Sequence, residues 1–149
     1  MKRGAGFTLI EIMLVVVILM VLGSMAYPHY AGMKTRSRRV EAQVAMIEAI
    51  GQQQRYYAQH NTYVAFSSAS QAPPAPGFKW WSGATAASSA YELEAAACPD
   101  TSLTECVEVR AIPGTANVDA HFADPDCGTL TYNTAGLQAA SGSYERCWP

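Results

Sequence analysis

Phe7-Thr8-Leu9-Ile10-Glu11-Ile12-Met13-Leu14-Val15-Val16-Val17-Ile18-Leu19-Met20-Val21-Leu22-Gly23-Ser24-Met25-Ala26-Tyr27 is the stretch that decides the fold. It carries one charge, Glu11. An apolar run of about 20 residues is long enough to cross a bilayer as a helix. A carboxylate costs at least a few kcal/mol at the centre of such a span. Glu11 sits near one end, where the cost is smaller, but its presence still calls for a reason.

The flanks of the run are informative. Met1-Lys2-Arg3-Gly4-Ala5-Gly6 is short, basic and ends on glycine. A secretory signal peptide has a shorter apolar core followed by small residues at a cleavage site. Here the run is longer, Ala26-Tyr27-Pro28 is a poor site, and the glycine stands ahead of the core. Cutting there would leave the span on the mature chain. Lys34, Arg36, Arg38 and Arg39 follow the run, so positive charge on both flanks leaves orientation open. Cysteine usage is more decisive. Cys98, Cys106, Cys127 and Cys147 all fall in the last third, an even number that fits disulfides in an oxidising space. The basic head is therefore placed inside and the rest of the chain beyond Tyr27 outside the cytoplasm. Formal net charge is only -2, which makes no large electrostatic demand for nucleic acid.

Gly23 and Pro28 interrupt the helical pattern, and Pro28 predicts a kink. Tyr27, His29 and Tyr30 read as an interfacial belt. An amphipathic helix follows. Val40, Val44, Ile47 and Gly51 form one stripe, widened by Met46, Ile50 and Tyr57, and this stripe is expected to face the core. Glu41, Glu48, Gln52 and Arg55 share another face. The run 35–39 is either a solvated face or a contact with phospholipid, nucleic acid or an acidic neighbour. The helix is expected to stop near Asn61, which tolerates a left-handed cap.

A connector over 62–90 holds Pro73, Pro74, Pro76 and Gly77. Its Trp80 and Trp81 fit either a stacking site or, more simply, one core plug beside one subunit contact. Alternation then predicts strands at 91–95, 107–111 and 129–132, with a shorter one over 137–141. Turns fall at Pro113-Gly114 and at 133–136. Short connections imply an antiparallel meander on the amphipathic helix.

The four cysteines allow three pairings. Cys98 and Cys106 bracket a short loop between the first two strands, and Cys127 and Cys147 bracket the final segment. Neither spacing suits zinc. Asp119, Asp124 and Asp126 lack the alternation and glycine of a calcium loop and read as a polar loop. His29, His60 and His121 lie in different elements, and no phosphate-binding glycine loop is present. No catalytic set emerges, and neither a cofactor nor a metal is expected.

At Gly6-Phe7-Thr8-Leu9-Ile10-Glu11 the chain resembles the type IV pilin family, over about its first 60 residues. The resemblance implies cleavage by a prepilin peptidase between Gly6 and Phe7, N-methylation of Phe7, and Glu11 as the glutamate that sets register during assembly. The physics agrees. Phe7 and Glu11 stand about one helical turn apart, and a free α-amino group is largely cationic at neutral pH. The glutamate of one staggered subunit can therefore meet the amine of another. The Cys127–Cys147 pairing resembles the C-terminal loop of type IVa pilins, and Asp126-Cys127-Gly128-Thr129 with Cys147-Trp148 resembles the PilE-type minor pilins. Cys98–Cys106 is the pairing then expected of the other two.

The expected architecture is α+β, a long N-terminal helix packed on about four antiparallel strands. Its parts are a leader over 1–6, a membrane or filament-core helix over 7–28, and an amphipathic half over 29–61. The connector over 62–90 and the disulfide-bounded sheet region over 91–149 complete it. The resemblance implies a structural subunit, a minor pilin, held singly in the inner membrane with its C-terminal domain in the periplasm and later built into an extracellular filament. Its partners would be membrane lipid before assembly, the prepilin peptidase, the assembly machinery and other pilins. Nucleic acid is not expected, because Lys34 to Arg39 lie close to the membrane or filament core. The alternatives are a type II secretion pseudopilin and a DNA-binding uptake pilin.

Overall fold

The computed structural model describes residues 8–70 and 77–149, without the side chains of residues 25–29 and 31. The chain divides into two compact units, Met1–Arg36 and Ser37–Pro149. In order, the elements are helix α1 (Leu9–His60), a single 3-10 turn (Ala86–Ser88), and strands β1 (Tyr91–Ala97), β2 (Val107–Pro113), β3 (Leu130–Asn133) and β4 (Gln138–Ala140).

In the first unit α1 starts directly after Thr8, and its large apolar side chains from Leu9 to Leu22 are all exposed. Among the described residues no helix is long and apolar enough to cross a membrane. The expected span begins at Phe7, outside the described residues, and ends in residues 25–27, whose side chains are also outside them. Gly6, Phe7 and the expected cleavage point lie outside as well.

The second unit is built as the alternation predicts. Its sheet has the order β1-β2-β3-β4 with every neighbour antiparallel. Leu93 pairs with Ala111, and Ala111 with Leu130, so one face gathers the apolar residues. Tyr91, Leu93, Val109 and Leu130 on that face are almost completely buried. Each such large side chain contributes about 1.5–3 kcal/mol relative to an exposed one.

The helix stripe that meets this face differs from the expected one. Ala42, Ala45, Met46, Ala49 and Ile50 are buried in the same core. Met46 and Ile50 are as expected, but Val40, Val44 and Ile47 are about half exposed on the opposite side. The reason is steric: Ala42, Ala45 and Ala49 let the helix backbone approach the sheet closely, and Met46 and Ile50 fill the space left between them. Pattern reading weighted the larger side chains and chose the wrong face.

α1 ends as expected, with Asn61 in the left-handed region at φ 54°. The connector is stitched to the free edge of β1. Phe66 exchanges backbone hydrogen bonds with Ala95, and Leu93 N–H donates to Trp80. Gln53, buried in α1, donates to the Val64 carbonyl and accepts from its N–H, which holds the connector's first residues. Pro73, Pro74 and Pro76 lie outside the described residues.

Candidate functional site

Glu11 lies in the first turn of α1. Thr8 N–H donates to Glu11 Oε2 and Glu11 N–H donates to Thr8 Oγ1, both at 3.4 Å. This reciprocal arrangement is a capping box, which satisfies two backbone donors at a helix start. The Thr8-Leu9-Ile10-Glu11 spacing carries that signal, and pattern reading passed over it. Glu11 thus serves its own helix as well as offering charge.

Gly23 and Pro28 both fall inside α1. A Cβ on Gly23 would meet nothing within 4 Å, so no contact among the described residues requires glycine there. The Pro28 side chain lies outside the described residues.

In the second unit, Arg39 and Asp124 form a buried bidentate pair. Arg39 Nε donates to Asp124 Oδ2 and Nη2 to Oδ1, each at 2.7 Å. Tyr91 Oη donates to Asp124 Oδ2 at 2.5 Å, and Cys127 N–H donates to Oδ1. Burial alone would push the Asp124 carboxyl up; the Arg39, Tyr91 and Cys127 hydrogen bonds outweigh it and hold the carboxyl below its ordinary range. Burial, reinforced by the hydrogen bond to Asp124, pushes the Tyr91 phenol up. Asp124 is therefore committed to the helix, and no group of His, Cys, Asp and Glu suited to a metal occurs among the described residues.

This pair sits beside one of the two disulfides, Cys127–Cys147. Cys127 is bonded to Cys147, and Cys98 to Cys106. The Gln43 amide donates to the Cys147 carbonyl at 2.6 Å. Two turns of α1 thus grip both ends of the C-terminal loop, through Arg39 and Gln43. The chain is close-packed there: a Cβ on Gly142 would run into the Asp126 carbonyl.

The expected basic run over 35–39 divides. Arg39 is buried, and Arg38 pairs with Glu41 at 2.9 Å. Lys34 and Arg36 are exposed, with no ion-pair partner among the described residues. The outer face of the sheet is acidic. Glu92, Glu94 and Glu108 share it with Arg110, which bonds Glu108 at 2.8 Å and Glu94 at 3.5 Å. Burial opposes ionisation of Glu92, but hydrogen bonds from Ser68, Thr115 and Asn117 hold its carboxyl below the ordinary range. Trp80 and Trp81 meet edge to face with centroids 5.1 Å apart. Trp80 packs on the core. Trp81 Nε1 is buried with no hydrogen-bond partner among the described residues.

Comparison with known proteins places this geometry. The family described as "Type IV minor pilin ComP, DNA uptake sequence receptor" matches residues 28–131. The family described as "Prokaryotic N-terminal methylation motif" matches residues 1–27. The chain is 30% identical over 95 residues to the type IV major pilin protein PilA of Myxococcus xanthus (strain DK1622), a region that is 64% of this chain and 43% of that relative. The matched region is thus less than half of the relative's length. No solved structure matches the chain.

Proposed function

Since this chain belongs to the type IV minor pilins, with the ComP family covering residues 28–131, we propose that it is a structural subunit of a type IV pilus. It is made as a membrane-anchored precursor, cut between Gly6 and Phe7, methylated at Phe7, and added to an extracellular filament. Its role is to pack and to hold, with no chemistry of its own. The observation that carries this reading is the uncovered apolar surface of α1. Every large apolar side chain from Leu9 to Leu22 is exposed, and so are Val40, Val44 and Ile47. Exposed apolar area on this scale calls for lipid or protein cover. Lipid supplies it before assembly and the helices of other subunits supply it afterwards.

The α+β head supports the same role. The Arg39–Asp124 pair and the Cys127–Cys147 bridge fasten helix to sheet and loop, which suits a subunit under pulling load. The test is Gly6→Trp. It is expected to leave an uncut precursor that is missing from sheared filaments; normal processing of Gly6→Trp would refute the assignment.

A second reading is a DNA-uptake pilin, and it rests on the description of the matching family. The charge of the head weighs against a broad DNA groove, since residues 37–149 carry eleven carboxylates against six Lys and Arg. A local site is still consistent with this balance, with Lys79 next to Trp80 and Trp81 supplying a cation beside stacking surfaces. Binding of DNA by the full chain that weakens steeply with salt would support it. No binding at low salt would remove it.

A further inference from the structure

The two units carry opposite charge. Once residues 1–6 are removed, residues 7–36 hold Lys34 and Arg36 against Glu11 alone, whereas residues 37–149 carry eleven carboxylates against six Lys and Arg. Within the acidic unit Arg38, Arg39 and Arg110 are already paired to carboxylates of their own unit. Complementary patches of this kind steer association and fix register between protein surfaces.

One acidic place has the shape to accept a side chain. A groove of about 270 Å³ lies between residues 65–70 and β1, lined by Phe66, Ser67, Ser70, Glu94, Ala95 and Ala96. Phe66 and Ala95 are tied by backbone hydrogen bonds, and Ser67 N–H donates to Ser70 Oγ, so the walls are fixed. Glu94 is partly exposed, and its ion pair with Arg110 is long, 3.5 Å. A cation on a long aliphatic stem fits such a place, its stem on the apolar wall and its head on the carboxylate.

Resting on the filament reading above, we infer that this groove receives Arg36 from a second copy of the chain, with its guanidinium on Glu94. Arg36 is chosen over Lys34 for two reasons. By helical spacing it lies on the face of α1 that bears Val40, Val44 and Ile47, so a neighbour covering that stripe meets Arg36 as well. Its planar fork also matches a carboxylate better than an ammonium does.

The test uses full-length chains. Arg36→Cys and Ser70→Cys subunits are co-expressed. Sheared filaments are treated with a bis-maleimide whose spacer matches an arginine stem, because a direct disulfide would need closer Cα atoms, and products are run under denaturing conditions. A cross-linked dimer that needs both substitutions is expected. Glu94→Arg should reduce incorporation several-fold, and Glu94→Arg with Arg36→Glu should recover it. Filaments that form without the cross-link, or cross-link through Lys34→Cys in place of Arg36→Cys, overturn the groove contact and leave the pilin reading standing. Failure of the charge swap to recover incorporation counts against the contact equally. Absence of the unsubstituted chain from any filament overturns the pilin reading itself.

Discussion

Arg39 in α1 and Asp124 in the loop before Cys127 face each other through two hydrogen bonds of 2.7 Å, across 85 residues of sequence. Their side chains are 8% and 0% exposed. Removing one partner of a buried pair leaves an uncompensated charge and costs about 3–5 kcal/mol. Arg39→Met and Asp124→Asn should each destabilise the head by that order in denaturant unfolding. Arg39→Met combined with Asp124→Leu should cost much less than the sum of the singles, because no orphan charge remains. Equal, additive losses would show that the pair is not coupled.

The same cluster, together with Glu92 on the outer face of the sheet, sets a pH window. The Asp124 and Glu92 carboxyls are held low in the fold. A depressed carboxyl contributes stability that is complete above its unfolded value, about 4, and is lost as pH falls through the lower folded value. The Tyr91 phenol is raised. Its contribution is complete below its unfolded value, about 10, and fades as pH rises further. Unfolding midpoints should therefore be flat between these limits and fall on both sides. Asp124→Asn should soften the acid arm, and Tyr91→Phe the alkaline arm. A Tyr91→Phe chain with an unchanged alkaline arm would contradict the assignment.

The two faces of α1 should separate by assay. Met46 is fully buried and Val44 is half exposed. Met46→Ala should cost about 2–5 kcal/mol of head stability. Val44→Asp should change it by no more than about 0.5 kcal/mol, yet abolish recovery of the subunit in filaments. Loss of head stability in Val44→Asp, or its normal recovery in filaments, would reject the assignment of that face to assembly.

These residues also mark where reading from sequence succeeds. The meander was legible because strands of alternating residues separated by short turns have few ways to pair, and the left-handed stop at Asn61 because few residues tolerate it. The apolar run and its flanking glycine pointed to the family. The facing stripe of α1 was not legible, since two apolar stripes compete and only the sheet decides between them. The Arg39–Asp124 pair left no local trace: a basic run near the membrane and an aspartate in a polar loop look solvated until the chain folds them together. The cap at Thr8 and Glu11 was legible in its spacing but hidden behind the stronger reading of Glu11 as an assembly charge.

The disulfides should contribute unequally. Cys127 and Cys147 are 20 residues apart and Cys98 and Cys106 are 8 apart. In the chain-entropy account a closed loop of the longer kind contributes about 3.3 kcal/mol and the shorter about 2.6. The longer bridge also holds the loop that Arg39 and Gln43 grip. Replacing both of its cysteines by serine should therefore lower the unfolding midpoint more than replacing Cys98 and Cys106. The reverse order would mean that strand-loop closure matters more than the helix attachment.

Glu11 has two tasks, and two substitutions tell them apart. As the third residue of a capping box it needs only an acceptor, which glutamine also provides. As a partner for a neighbouring amine it needs charge. Glu11→Gln should thus keep the helix start intact, with unchanged membrane insertion and precursor processing, but lose incorporation into filaments. Glu11→Leu should lose both the cap and incorporation. If Glu11→Gln enters filaments as well as the natural chain while Glu11→Leu does not, the cap is what assembly requires, and the charge-pairing account of Glu11 fails.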